Sequence, residues 1–181
     1  MSRLVSTVLL CLALVPAAKA QSWRLVSTDS DLTFKVTQMG STMDGRFGRF
    51  TADIDFDETD LDPAKARVVI DMASADVNNA QGNRILKGEA WFNIAEHPRS
   101  VFETQQIRAT EAGYEADATL TIKGKSVPLT LPFELEIDGD RAHMTAETTL
   151  DRTRFDIGGG DADETVGETV TVRIDVIAER Q

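Results

Sequence analysis

The 181-residue chain has a single cysteine, Cys11, so past that position neither a disulfide nor thiol chemistry is available. Its two histidines, His97 and His143, stand far apart, and without cysteine they leave a transition-metal site little to build on. His143 alternates with Ala142 and Met144 on the polar side of its run, and His97 precedes Pro98 in a turn. Basic residues number 19 against 30 acidic ones, a formal charge of −11. Such a surface disfavours nucleic acid and anionic membrane faces as general partners and keeps the chain soluble. Nucleophile elbows, phosphate loops and dinucleotide fingerprints are missing. The longest apolar run, Leu4–Val15, is 12 residues, short of the ~20 that a permanent membrane helix needs.

That run belongs to a segment, Met1 to Ala20, with the layout of a secretory leader. Arg3 supplies the positive start, and Ala18-Lys19-Ala20 offers small residues at the positions a signal peptidase reads. Leu9-Leu10 ahead of Cys11 lacks the small residue that precedes a lipid-modified cysteine. Cleavage after Ala20 is expected, giving a periplasmic protein that starts at Gln21. Residues 1–20 hold Arg3 and Lys19 and no acid, so their removal takes the formal charge to −13. Residues 21–181 are enough for one domain that buries its own core without disulfides.

What the chain does have is alternation. Tyr114, Ala116, Ala118, Leu120 and Ile122 interleave with Glu115, Asp117, Thr119, Thr121 and Lys123. After a turn at Lys123-Gly124-Lys125-Ser126, Val127, Leu129, Leu131, Phe133, Leu135 and Ile137 form the apolar side of a returning arm. Strand side chains point alternately to opposite faces, so this pattern predicts a long antiparallel hairpin with one dry and one wet face. Similar runs at Trp23–Val26, Leu32–Val36, Phe50–Phe56, Val68–Met72, Val101–Ile107, Ala142–Leu150 and Thr169–Ala178 extend it along the chain. Eight or nine strands joined by short polar turns predict an all-β meander barrel.

One segment departs from the two-residue period. Asn78-Asn79 is placed to cap a short helix through Ala80–Lys87, with Gly88 as its stop. Ile85, Leu86, Trp91 and Phe92 are too apolar for an idle loop and predict a cap on one barrel end. Pro128 and Pro132 lie on the polar side of their strand, and their missing N–H groups fall on one edge of it. That edge is either a seam in the barrel or a protected strand edge. Small inward alanines at Ala52, Ala116, Ala118, Ala142 and Ala146 are expected to leave room inside.

Acidic clusters are weak evidence for calcium. Asp53, Asp55 and Asp57 spread charge along a line, with Asp60 and Asp62 following. The stretch Gly158–Glu164 is the better candidate but lacks the ordered spacing of a calcium loop. The reading is therefore no metal, no cofactor and no catalytic residue.

Several phrases, taken in order, resemble the YceI-like family of secreted, lipocalin-like, polyisoprenoid-binding proteins. They are Asp31-Leu32-Thr33-Phe34-Lys35-Val36; Gly45-Arg46-Phe47-Gly48-Arg49-Phe50; Leu86-Lys87-Gly88-Glu89-Ala90-Trp91-Phe92-Asn93 with Pro98 and Phe102; Leu120-Thr121-Ile122-Lys123-Gly124 running to Pro128-Leu129; and Leu150-Asp151-Arg152-Thr153-Arg154-Phe155-Asp156-Ile157-Gly158 with Val166-Gly167 and Val170. The resemblance implies an eight-stranded antiparallel lipocalin-like barrel with a short helical insertion, holding an isoprenoid-type lipid in its lumen.

The reading for function is a non-enzymatic binding protein that holds a polyisoprenoid or isoprenoid quinone for transport, storage or sequestration. Its expected wall is Phe34, Val36, Phe50, Ile54, Phe56, Leu120, Leu129, Leu131 and Phe133. Its expected mouth is Met39, Met43, Phe47, Ile85, Trp91, Phe92 and Phe155. Arg152 is either a head-group contact or a structural ion-pair partner, with the structural role favoured. A ligand-free module that docks on a membrane redox protein is the second reading, and an enzyme acting on a lipid-like substrate the third.

Overall fold

Lys123 and Gly124 both take positive φ, 50° and 74°, and so make the two-residue turn whose twist matches that of paired strands. The turn is these two residues alone; Lys125 and Ser126 already belong to the next strand. Around it the computed structural model, which describes residues 21–159 and 164–181, folds into a closed antiparallel barrel. The expected leader and residues 160–163 of the calcium-candidate stretch lie outside the described residues.

The strands are β1 (Ser22–Leu25), β2 (Asp31–Gln38), β3 (Ser41–Phe47), β4 (Phe50–Asp55), β5 (Lys65–Asp71) and β6 (Ala75–Asp76). They continue with β7 (Arg99–Thr110), β8 (Gly113–Ile122), β9 (Lys125–Asp138), β10 (Arg141–Asp151) and β11 (Val166–Arg180). The ring runs β1-β4-β5-β7-β8-β9-β10-β11 and closes where Trp23 of β1 pairs with Arg180 of β11. β2, β3 and β6 extend it at one end, because long β11 pairs with β1 at its C-terminal end and with β2 over Val166–Asp175. Closure through β1 and β11 makes a ring of eight strands, the number that the resemblance implies.

Alternation did not reveal the two-residue β6, nor did it reveal β3. Its inward positions are Met43, Gly45 and Phe47, and a glycine at the centre hides the period. The helix is α1 (Ala80–Leu86), one residue shorter than expected, with Asn79 Oδ1 accepting from the Gln81 and Gly82 amides at 3.0 and 2.9 Å. α1 and the loop that follows it cover the barrel end to which β2, β3 and β6 belong. Ile94 N bonds Lys87 O, Gly158 N bonds Ala90 O, and Lys123 Nζ donates to Asp156 O, which ties the cap to the β8–β9 turn and to the 3-10 turn Arg152–Phe155.

The opposite end is plugged by side chains. Trp23, 4% exposed, donates its indole N–H to Phe56 O and packs with Ile107, Ala116, Leu131, Ala142, Ala146 and Ala178. The alanines on β8 and β10 therefore do not open a lumen: Ala116, Ala142 and Ala146 accept the bulk of this plug, and Ala118 is 2% exposed. Phe56 meets Tyr114 edge-on and Tyr114 stacks on Phe133 at the same end, with ring centroids 5.4 Å apart in each pair.

β9 bonds to β8 from Lys125 to Phe133, but to β10 only from Glu134 to Asp138. The Ile122–Lys125 pair flanks a two-residue turn and is hydrogen-bonded, so alternation puts Leu129 and Leu131 in bonded pairs with β8. The backbone of Pro128, Thr130 and Pro132 then faces the side where β10 has moved away. The two prolines stand where no N–H has a strand partner, so the edge they mark is also a seam.

Candidate functional site

An internal cavity of ≈ 240 Å³ lies between the Trp23 plug and the α1 cap. Its lining is apolar except for Ser100, Thr148 and Arg152. β2 supplies Phe34 and Val36, β3 Met43 and Phe47, and β4 Phe50, Ala52 and Ile54. β8 and β9 add Leu120, Leu129 and Leu131. From the cap come Leu86, Trp91 and Phe92, and Phe155 enters from the 3-10 turn. The adjacent aromatics Trp91 and Phe92 both reach the lining because they sit on a turn, where the alternation of a strand does not apply. A tilted aromatic series joins wall to cap: Phe34–Phe47 at 5.2 Å and Phe47–Phe92 at 6.0 Å between centroids.

Four residues expected in the wall or mouth stand elsewhere. Met39 occupies the β2–β3 turn at φ 47° and is 82% exposed, because a turn tip has nothing above it. Ile85 lies on the outer side of α1, 47% exposed, while its neighbour Leu86 turns inward. Phe56 and Phe133 are taken up by the aromatic stack with Tyr114 at the plugged end. Conversely, Val68 and Ile70 of β5 and Val170, Val172, Ile174 and Val176 of β11 line the cavity without having been singled out. Their two-residue alternation was the available signal; alternation names the inner face but not which inner positions meet empty space.

Arg152 is 3% exposed and its guanidinium donates to three carbonyls: Nε to Gly167 at 3.0 Å, Nη1 to Ile157 at 2.7 Å and Nη2 to Val166 at 2.7 Å. It therefore clasps both ends of the 157–167 connection through backbone carbonyls. Ser100 donates to Thr121 O at 2.8 Å inside the β7–β8 ladder.

Shifted carboxyls lie outside the cavity. Asp117 is held below the usual carboxylate range by Arg108, then by Thr130, and Asp151 by the Thr153 hydroxyl and amide that it caps. Burial, followed by nearby Glu58, pushes the Tyr114 phenol up. His143 Nε2 lies 2.8 Å from Asp175 Oδ1 on the outer face. Among the described residues no group of histidine, aspartate or glutamate side chains is arranged to hold a metal ion. The cavity can enclose an apolar group; its polar side chains include neither carboxylate nor imidazole.

Comparison with known proteins places this geometry. A crystal structure of BcnA from Burkholderia cenocepacia superposes with a TM-score of 0.79 at 26% identity, covering 84% of this chain and 98% of that one. A polyisoprenoid binding domain from Saccharophagus degradans shares the fold at 15% identity, TM-score 0.71, over 89% of this chain and 99% of that one. In sequence, a UPF0312 protein of Yersinia pestis (strain Pestoides F) is 30% identical over 110 residues, which is 60% of this chain and 57% of that protein. The match thus spans a little over half the length of that relative. A UPF0312 protein of Pseudomonas aeruginosa (strain LESB58) is 28% identical over 70% of each chain. The model of the YceI-like domain matches residues 23–178, from the plug tryptophan to the last alanine of β11, and the chain belongs to that family.

Proposed function

We propose that the protein binds the apolar chain of an isoprenoid-type lipid, a polyisoprenoid or an isoprenoid quinone, in the barrel lumen, and carries or sequesters it in the periplasm after removal of residues 1–20. The observation that carries this reading is a cavity inside the barrel of this family with an almost wholly apolar lining. The polyisoprenoid binding domain of Saccharophagus degradans, which has the same fold, supports it.

Size limits what the lumen takes. An apolar cavity of ~150 Å³ holds one benzene. By that measure ≈ 240 Å³ takes on the order of ten carbons, or about two isoprene units. At about 0.8 kcal/mol per buried methylene, ten carbons supply about 8 kcal/mol, equivalent to a roughly micromolar Kd before the cost of ordering the chain. A longer isoprenoid leaves most of its length outside or displaces the cap.

Mass spectrometry of organic extracts from protein purified from its native envelope tests the reading. An isoprenoid recovered in stoichiometric amount is expected. Extracts free of lipid, together with no uptake of farnesol or a short-chain quinone by the purified protein, overturn it.

A further inference from the structure

Most cations of this barrel are neutralised on its surface. Arg24 pairs with Glu179, Arg49 with Asp71, Arg67 with Glu103, Arg141 with Asp29 and Arg180 with Asp140. Arg84, Lys87, Arg99 and Arg154 are different: exposed, they make no ion pair or side-chain hydrogen bond with the described residues. All four belong to the capped end, Arg84 and Lys87 in or beside the last turn of α1, Arg99 at the start of β7 and Arg154 in the 3-10 turn. Lys123, in the β8–β9 turn of the same end, meets only a backbone carbonyl within hydrogen-bond reach among the described residues.

The exposed large apolar side chains of the described residues, Met39 and Ile85, lie at this end too. Met39 N bonds Thr165 O, which sets the β2–β3 turn beside the start of β11, and Ile85 stands between Arg84 and Lys87. Glu89, Glu96 and Glu164 share the end, as do Asp151, whose carboxyl Thr153 holds low with help from the Arg154 charge, and Asp156, which pairs with Lys125. The far end carries Asp57, Glu58, Asp60 and Asp62 in one loop and Glu111 and Asp140 in its turns. Charge is thus polarised along the barrel axis, with protruding apolar tips at the less acidic pole.

We propose that the capped end is a docking face for an anionic lipid bilayer, with Met39 and Ile85 entering the interface and Arg84, Lys87 and Arg154 facing acidic head groups. The net charge of −11 argues against membrane binding in general, but salt screens charges beyond ~8–10 Å, so the end that meets the surface decides. Two shallow apolar tips with flexible basic side chains are the arrangement that holds a protein on a membrane reversibly. No helix among the described residues is long and apolar enough to cross a membrane. Docking here would set the cap and the cavity behind it against the bilayer. It goes beyond lumen binding and stands whether or not the lumen is filled.

The test is co-sedimentation of the protein as isolated from cells, its N-terminus defined by intact mass, with vesicles of phosphatidylcholine alone or equimolar with phosphatidylglycerol. Binding to the anionic vesicles that falls steeply with added salt is expected. Arg84→Glu/Lys87→Glu should lower it at least tenfold, since each basic residue near such a surface is worth about fivefold. Met39→Asn/Ile85→Gln should lower it severalfold, asparagine being compatible with the positive φ of that turn. Arg24→Glu, at the far end, should leave it unchanged, and all variants should keep the wild-type thermal midpoint within a few degrees. Equal binding to both vesicle types, or equal loss in Arg24→Glu, overturns the proposal. Wild-type protein that binds neither vesicle overturns it as well and makes a protein partner the reading of this face.

Discussion

Gly45 lies against the ring of its cross-strand partner Phe34 so closely that a Cβ at position 45 would stand 2.2 Å from Phe34 Cζ. The glycine gives the ring a flat seat in the wall, where Phe34 is 8% exposed and reaches both Phe47 and the cavity. Gly45→Ala should push the ring out of that seat and into the lumen. Overpacking of this kind costs about 1–3 kcal/mol, to be read as a lower urea midpoint at unchanged m-value. A midpoint equal to wild type would mean that the wall yields without cost.

Arg152→Met should be strongly destabilising for its size. Methionine keeps the length of the stem but leaves the carbonyls of Gly167, Ile157 and Val166 without their donor. A buried acceptor without a partner costs about 1–3 kcal/mol, and several share this one. Reduced thermal stability with faster proteolysis in 157–167 is expected, and lysine should restore only part of it because it lacks the planar fork. An undisturbed melting point would place the clasp elsewhere.

The seam between β9 and β10 should be visible in hydrogen exchange. Thr130 sends its N–H to the open side, like the N–H groups that Pro128 and Pro132 lack, while the amides of Leu129 and Leu131 point to β8. Alternating protection along β9 is expected, slow at Leu129 and Leu131 and fast at Thr130. Uniform protection from Ser126 to Phe133 would show that the two strands zip together in solution.

Trp91 lines the cavity from the cap but is only half-buried. Trp91→Ala should therefore speed release of a polyene fatty acid from the lumen several-fold while costing less than the about 3–5 kcal/mol typical of a core tryptophan. Stopped-flow release and chemical unfolding on the same variant separate the two effects. A large loss of stability with unchanged release would make the cap a plug.

Alternation from Tyr114 to Ile137 was enough to define the β8–β9 hairpin, because burial on one face of a strand requires a period of two. Asn78-Asn79 ahead and Gly88 behind likewise marked the short helix, since a helix start needs a side-chain acceptor for its free amides. The loose edge at Pro128 and Pro132 was legible too, because an absent N–H is a property of the residue. Chain closure decided the rest. Gly45 hides the period of β3, and only the fold shows that its missing side chain is replaced by a ring from β2. Ala116, Ala142 and Ala146 looked like room in the lumen, yet Trp23, arriving from the other end of the chain, fills the space beside them. Met39 and Ile85, expected at the mouth, point away from the cavity, which depends on how a turn and a helix are set against the barrel. A periodic sequence determines which face of each strand is dry; whether that face meets another side chain or empty space depends on residues distant along the chain, and so on tertiary structure alone.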